Sequence, residues 1–358
     1  MEVTLLATPS HDYVRTAPLG TLNTSLAAAI HSWRTLDACP ICETPAPRAF
    51  ATIRALPHKR CASCGFTFVN PVPPADVLDA LYNSDFYTNY RRFEAARIAR
   101  ERYFSISMYR DLRQLASWIR RDPSLAILDF GCGPGALLAL LRDEFGFADV
   151  EGLELSCSSV AFARRHYQLP VVSSPAELRR GAYDYVVLLE VIEHLPNPAA
   201  VLAQVVTLVK PGGHLLITTP AVDNLMARFF PALCKHYTAL SHVSLFTERS
   251  LRQLLARFGF TIQRLETDRA FVALQSIATS VTHNLDFVSP QGDDDQTDAM
   301  YIPNALGRAL GCKWERMPAH GFVGRAARKI DRFLMRHVWW RLPLPATDHL
   351  YVLACKEP

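Results

Sequence analysis

From residue 124 onward the chain alternates short apolar runs with longer segments in which apolar and polar positions recur every three or four residues. The short runs suit buried strands and the longer ones amphipathic helices, so the alternation predicts βαβ units on a parallel sheet, an α/β fold. Strands are predicted at about 125–130, 149–154, 169–173, 183–189 and 213–219, with helices at about 135–145, 157–167 and 198–209. A further helix, TERSLRQLLARFGF, opens at the Thr247 cap and ends near Gly259, and strand TIQRLE follows. The closing HLYVLACK reads as a last strand that returns to the sheet from far away.

This pattern divides the chain. Residues 1–36 carry little periodicity and read as a loosely attached N-terminal arm, and residues 37–70 form a cysteine-bearing module. Residues 71–123 are a helical connector or cap: a proline-stiffened stretch in which Ala75 or Asp76 opens a short helix, then a long helical pattern over 91–121 stopped at Asp122-Pro123. Residues 124–269 hold the α/β domain and 346–358 its final strand. Between them, residues 270–345 are a helical insertion with an acidic, turn-rich stretch (QGDDDQTD) and a basic amphipathic helix at about 322–341.

Composition narrows the class. Of 358 residues, 49% are apolar and 20% charged, which supports a sizeable core and excludes wholesale disorder. A net charge of +4 is too small to announce a nucleic-acid partner, and no apolar run approaches the roughly 18 residues of a membrane span. The start, MEVTLLATPSHDYVR, lacks the pattern of a secretory signal, so a cytoplasmic protein is the expectation. The positive charge is concentrated: +6 over residues 91–121 and +5 over 321–341. Val323, Ala327, Ile330, Leu334 and Val338 share one helical face, which suits a cap over an acceptor pocket with a solvated basic side. The same charge could receive an anionic acceptor, such as a nucleotide-linked sugar or a carrier-bound acyl chain, or touch a membrane surface.

Five of the nine cysteines are scattered, as reduced thiols are, but the first four read Cys39-Pro-Ile-Cys42, eighteen residues, then Cys61-Ala-Ser-Cys64-Gly. Two such knuckles supply four thiolates, the tetrahedral set of a structural zinc site with no position left for water, although a rubredoxin-type iron could use the same sulfurs. The strongest functional signal is SLAILDFGCGPGALLALL. A strand ends in Asp129 and runs through Gly131, Cys132, Gly133, Pro134 and Gly135 into a helix, a turn whose glycines let a ligand approach the backbone. Dinucleotide loops also begin Gly-x-Gly. Here, however, Asp129 would repel a pyrophosphate and attract a cationic amino-acid group, while Pro134 removes a donor that phosphates need. Glu154, nineteen residues beyond Gly135, ends the second strand where an acid can accept two ribose hydroxyls. These details point to S-adenosylmethionine.

LDFGCGPGALL, GLELS, YDYVVLLEVIEHLPNP, LVKPGGHLLITTP and HVSLFTERSLRQLLARFGF stand in the order of the motifs of class I S-adenosylmethionine-dependent methyltransferases, and the chain resembles their ubiquinone- and sugar-modifying branch over about residues 70–270 and the last strand. The resemblance implies a Rossmann-like seven-stranded sheet with a reversed last hairpin. It also implies that Asp129, Gly131 and Gly133 line the methionine moiety, Glu154 the ribose and the stretch around Ser174 the adenine, with Cys132, Gly135, Leu155 and Leu189 among the cofactor-binding residues. Families often place an acid at the Ser174 position, and here Glu177 is displaced from it. Glu190, Glu193 and His194 gather after the fourth strand, where a histidine, by its unperturbed pKa, can serve as a general base. In demethylubiquinol O-methyltransferases the matching trio is associated with a divalent metal, so by resemblance magnesium could be held here. His236, Tyr237 and His242 form a second polar group, with His242 matching the family's pre-helix histidine. The expected reaction is methyl transfer to an oxygen of a sugar, quinone, phenol or acyl metabolite. Its rivals are a zinc-module ribosomal RNA methyltransferase and a non-catalytic cofactor- or partner-binding protein.

Overall fold

The structure, a computed structural model, describes residues 30–53, 56–82, 112–229, 231, 234, 236–237, 241–268, 285–290, 299–303, 315–316 and 349–357. The predicted basic helix at 322–341, most of the 91–121 helical pattern and the start of the N-terminal arm lie outside these residues.

Three antiparallel strands come first: β1 (Arg48–Ile53), β2 (Leu56–Arg60) and β3 (Thr67–Val69). Helix α1 (Ala75–Tyr82) follows the proline connector, opening where Asp76 can complement the helix dipole. Residues 30–36 are anchored rather than loose. Ile30 and Trp33 are buried with Leu56, Val69 and Leu81, and Asn70 exchanges two hydrogen bonds with the backbone of Leu36, at 2.9 Å each.

The α/β unit runs β4 (Ala126–Phe130), α2 (Ala136–Asp143), β5 (Asp149–Leu153), α3 (Cys157–His166), β6 (Val171–Val172), β7 (Tyr183–Leu189), α4 (Pro198–Leu208) and β8 (Val209–Pro220). It continues with α5 (Leu225–Phe229), β9 (Ser244–Leu245), α6 (Glu248–Arg257) and β10 (Phe260–Asp268). Strands β11 (Leu285–Pro290), β12 (Ala299–Pro303) and β13 (Glu315–Arg316) make a small antiparallel sheet, so the described parts of the 270–345 insertion are β structure. The last strand, β14, is His349–Lys356.

The main sheet has seven strands in the order β10-β14-β8-β7-β4-β5-β6, parallel except for β14, which is antiparallel to both neighbours. The reversed last hairpin implied by the resemblance is therefore present. β8 begins earlier than predicted, because Val209 already pairs with Tyr183 before the register shift at Lys210–Gly213.

Alternation explains the layering. Ile127, Val187, Leu216 and Leu353 face one core with Leu112, Leu115 and the helices α2 and α3. Leu128, Val186, Leu188, Leu215, Ile217 and Val352 face the other, with α4 and α6. Cys39, Cys61, Cys64, Phe66 and Phe68 belong to this second core, so the cysteine hairpin and the sheet share one interior. Four leucines of α2 (Leu137, Leu138, Leu140 and Leu141) are buried, each contributing about 2 kcal/mol of apolar burial.

The predicted Thr247 cap is present and has a second duty. Its Oγ1 accepts from Ser250 N at 3.0 Å and donates to Cys64 O at 2.8 Å, both buried, tying α6 to the cysteine hairpin. Thr247→Ala removes both bonds and is expected to cost about 2 kcal/mol of unfolding free energy in a denaturant titration.

Candidate functional site

The strand order reverses between β4 and β7, and the crevice at the carboxyl ends of such strands is where open α/β sheets receive ligands. β4 ends there in the glycine turn. Gly131, Gly133 and Gly135 have φ of 85°, 53° and 85°, a region that favours glycine. The turn is tied to β5, because the N–H groups of Gly131 and Cys132 both donate to Leu153 O, at 2.7 and 3.0 Å.

Two carboxylates face this turn. Glu154 is buried; its Oε2 accepts from Gly133 N at 2.8 Å and its Oε1 from Ser156 N at 2.7 Å. Asp129 is only 2% exposed, and its Oδ1 has no hydrogen-bond partner among the described residues. Burial, reinforced by the nearby Glu154 charge, pushes the Asp129 carboxyl up to about 7. Leu155, just past Glu154, is 58% exposed. Ser174 caps the turn Pro175–Glu177: its Oγ accepts from Ala176 N, while Glu177 Oε1 accepts from Ser174 N at 3.0 Å. Glu177 is thus committed to that capping box. Leu189 is the last residue of β7, and Glu190 follows it.

The loop after β7 carries the second half of the site. Glu190 has φ +53°, which costs a residue with a Cβ about 1–2 kcal/mol. Its N–H bonds Thr218 O at 3.1 Å, its Oε1 accepts from Thr218 Oγ1 at 2.9 Å, and His349 Nε2 lies 3.4 Å from Oε2. Burial opposes ionisation of Glu190, but the His349 imidazole and Thr218 hydroxyl outweigh it and hold the carboxyl below its ordinary range. Glu193 is fully buried. Its Oε2 accepts from Thr219 Oγ1 at 3.0 Å, and burial together with the Glu190 charge raises its carboxyl well above the usual range. The two carboxyls, three residues apart, are thus shifted in opposite directions.

His194 Nδ1 lies 2.6 Å from Ser241 O and His242 Nδ1 2.9 Å from His236 O. A carbonyl only accepts, so both rings carry a proton on Nδ1, and in the neutral form of each ring Nε2 is the free acceptor. The two rings meet edge to face at 4.8 Å. Burial, then the neighbouring His194, lowers the His242 pKa well below its ordinary value.

The sequence reading grouped Glu190, Glu193 and His194; the structure instead brings together Glu193, His194 and His242, with donor atoms within 4.8 Å of one another. Magnesium prefers oxygen ligands and retains several waters, so it does not fit a set with two imidazole nitrogens. Glu190 turns to Thr218 and His349 instead. His349 was not foreseen; its only trace in the sequence is its place at the start of a strand that lands beside β8.

The four cysteines converge as expected. Cys39 and Cys64 Sγ are 3.6 Å apart and Cys42 and Cys61 Sγ 3.5 Å, with all four within 4.8 Å. A tetrahedron with metal–sulfur bonds of about 2.3 Å has edges of about 3.8 Å, so the set fits zinc, and a disulfide at about 2.05 Å is excluded. The two knuckles are alike: Glu43 N donates to Cys39 O and Gly65 N to Cys61 O, at 2.9 and 3.0 Å. The Cys64 thiol as donor pulls Cys39 down to about 5, while Cys64 itself is pushed up.

Residues 96–265 match the profile of a family described as a methyltransferase domain. Ubiquinone biosynthesis O-methyltransferase of Photobacterium profundum is 39% identical over 102 residues, 26% of this chain and 43% of that protein. The Acinetobacter baumannii protein of the same name is 35% identical over 146 residues, 36% of this chain and 60% of that protein. The chain thus spans about half the length of the curated relatives it matches. Among solved structures, Haemonchus contortus phosphoethanolamine N-methyltransferase 2 in complex with S-adenosyl-L-methionine shares the fold, with a TM-score of 0.51 and 16% identity over 82% of this chain and 62% of that one.

Proposed function

We infer, from the match of residues 96–265 to a methyltransferase-domain profile, that the chain transfers a methyl group from S-adenosylmethionine to an oxygen of a small-molecule acceptor. The observation that carries this reading is the glycine turn flanked by two buried carboxylates at the strand-order switch. Asp129 Oδ1, buried without a hydrogen-bond donor, suits the ammonium of the methionine moiety. Gly131, Cys132, Gly133 and Gly135 let that moiety lie against the backbone. An ionised carboxylate offers about four lone-pair sites, so Glu154 can keep its two backbone donors and still accept two ribose hydroxyls. Leu155 and Ser174 border the adenine, and Leu189 lies under the sulfur.

The donor supplies a methyl group on a cationic sulfur. The chain's residues must align the acceptor oxygen in line with it, keep water out and take up the hydroxyl proton. His194 Nε2 is the proton acceptor in this reading, since its Nδ1 proton is locked on Ser241 O. His242 and Glu193 bound the same corner, and Glu190 offers an ionised carboxylate on the acceptor side. The relatives named for ubiquinone biosynthesis support a quinone or phenol hydroxyl as the acceptor. The four cysteines hold zinc in this reading, in a closed structural site. No described helix is long and apolar enough to cross a membrane.

Calorimetric titration with S-adenosylhomocysteine is expected to give saturable one-to-one binding, and metabolite profiles with and without the gene are expected to differ by one methyl mass. Absence of binding heat in metal-loaded protein would refute the reading.

A further inference from the structure

We propose that the four-cysteine site positions the acceptor corner: the hairpin it closes is the scaffold for His242 and Glu193, whereas the donor-binding turn takes its backbone hydrogen bonds from the parallel sheet. The word acceptor rests on the methyltransferase reading, but the coupling itself does not.

A continuous path of hydrogen bonds joins the two sites. Cys61 N donates to Phe66 O at 2.9 Å, closing the knuckle that leads into β3. β3 pairs with β9, Thr67 opposite Leu245 and Phe68 opposite Ser244. Val69 N donates to Val243 O at 3.0 Å, and Val243 N donates to Glu193 O at 2.9 Å. The residue next to His242 is therefore clamped between the cysteine hairpin and the loop of Glu193 and His194. Ser244 Oγ adds a bond to Leu195 O at 2.6 Å on the far side of that loop. On the cysteine side, Thr247 Oγ1 holds Cys64 O, and the Arg257 guanidinium donates to Ile41 O at 3.1 Å.

Side chains reinforce the path. Ile53 and Phe50 of β1 pack with Val222, Cys234, Tyr237 and Leu245. The buried His58 ring of β2 meets Tyr237 edge-on at 5.5 Å. Tyr237, next to His236, thus packs among residues of the hairpin and Val222, just past β8.

The glycine turn is supported differently. Its bonds run to Leu153 O at the end of β5 and to Glu154 just past it, and although Phe130 and Leu153 also reach the core of the cysteines, the core of α2 and α3 behind the turn contains none of the four. β9 has only two residues, too few to hold a strand without a fixed partner. That partner is β3, and β3 is fixed because the metal links two knuckles separated by eighteen residues of chain. Loss of the metal should therefore loosen the acceptor corner and spare the donor site.

The test compares protein as purified, the same protein after zinc chelation, and Cys61→Ser. Metal content, calorimetry with S-adenosylhomocysteine and site-resolved amide hydrogen exchange are measured on each. The expected result is about one zinc per chain in the first sample only. Exchange at Val243 and Leu245 should rise about 100-fold or more on metal loss, with Ile127 and Leu128 still protected and S-adenosylhomocysteine affinity within about threefold. Unchanged protection at Val243 and Leu245 after metal loss would overturn the proposal. So would a fall in affinity alongside their protection, because the hairpin would then support the whole domain, and so would metal-free protein as purified with a protected corner. Failure of the metal-loaded protein to bind S-adenosylhomocysteine would refute the methyltransferase reading, and the exchange data would then decide the coupling alone.

Discussion

Asp129→Asn is expected to stabilise the cofactor-free protein above pH 7 while weakening S-adenosylhomocysteine binding about 100-fold. Burial raises the Asp129 carboxyl from about 3.9 in an unfolded chain to about 7. The folded protein therefore binds this proton more tightly than the unfolded one. Its contribution favours folding below pH 4 and is lost as the pH rises through 7, where the ionised carboxylate becomes a burial cost. Asparagine cannot ionise, so at pH 8 the variant should gain about 1–2 kcal/mol, part of the gain being offset by an unsatisfied amide. Binding moves the opposite way, because an ammonium buried without its carboxylate loses about 2–4 kcal/mol.

The same proton gives the wild-type affinity a defined pH profile. The carboxylate form of Asp129 binds the ligand's ammonium, so affinity should fall about tenfold per unit below pH 7. Above about pH 8 the ligand's own amino group loses its charge. A maximum between these limits, with the acid limb abolished in Asp129→Asn, is the outcome calorimetry should record. A flat profile from pH 5 to 8 would remove Asp129 from the role of ammonium partner.

Gly131→Ala should cost about 2–4 kcal/mol of stability and disrupt the donor site with it. A Cβ at this position would lie 2.6 Å from Val191 Cγ2, inside van der Waals contact, and φ is +85°. Neither fault relaxes easily: valine is stiff about χ1 and its Cγ2 is one bond from the Cβ. Left-handed backbone costs an alanine about 1–2 kcal/mol, and overpacking against the partly buried Val191 about 1–3 more. Val191→Ala placed on Gly131→Ala should restore the steric part and leave the backbone part, a partition that a double-mutant cycle of melting curves would measure. Because Val191 lies between Glu190 and Glu193, this collision also marks where the glycine turn touches the acceptor loop.

Much of the architecture was legible because it is written locally. The buried run Ala126–Phe130, the Leu-rich helix behind the glycine turn, the Thr247 cap and the bounds of HLYVLACK all follow from propensity, period and capping within about ten residues. The four cysteines converged as their spacing implies, because each knuckle is a local turn that delivers two sulfurs. The strands of the 270–345 insertion were not foreseen, since their short runs carry no alternation strong enough to compete with a helical reading.

The acceptor corner divides more sharply. Glu190, Glu193 and His194 were visible as a cluster because they are adjacent in the chain, yet which of them share a site depends on side-chain direction across a turn with a left-handed residue at its head. His242 takes the place given to Glu190, and His349 enters from the last strand. The anchoring of residues 30–36 and the pairing of β3 with β9 were equally invisible, because two-residue strands have no period to read and their partners are far away along the chain. The amino-acid sequence alone determined the parallel sheet, the turn with its two carboxylates and the cysteine cluster, since each arises from contacts within one or two consecutive elements. Only the tertiary structure decided the membership of the histidine corner and its link to the cysteine hairpin, since both depend on the register and direction with which distant strands meet, and no local preference encodes that.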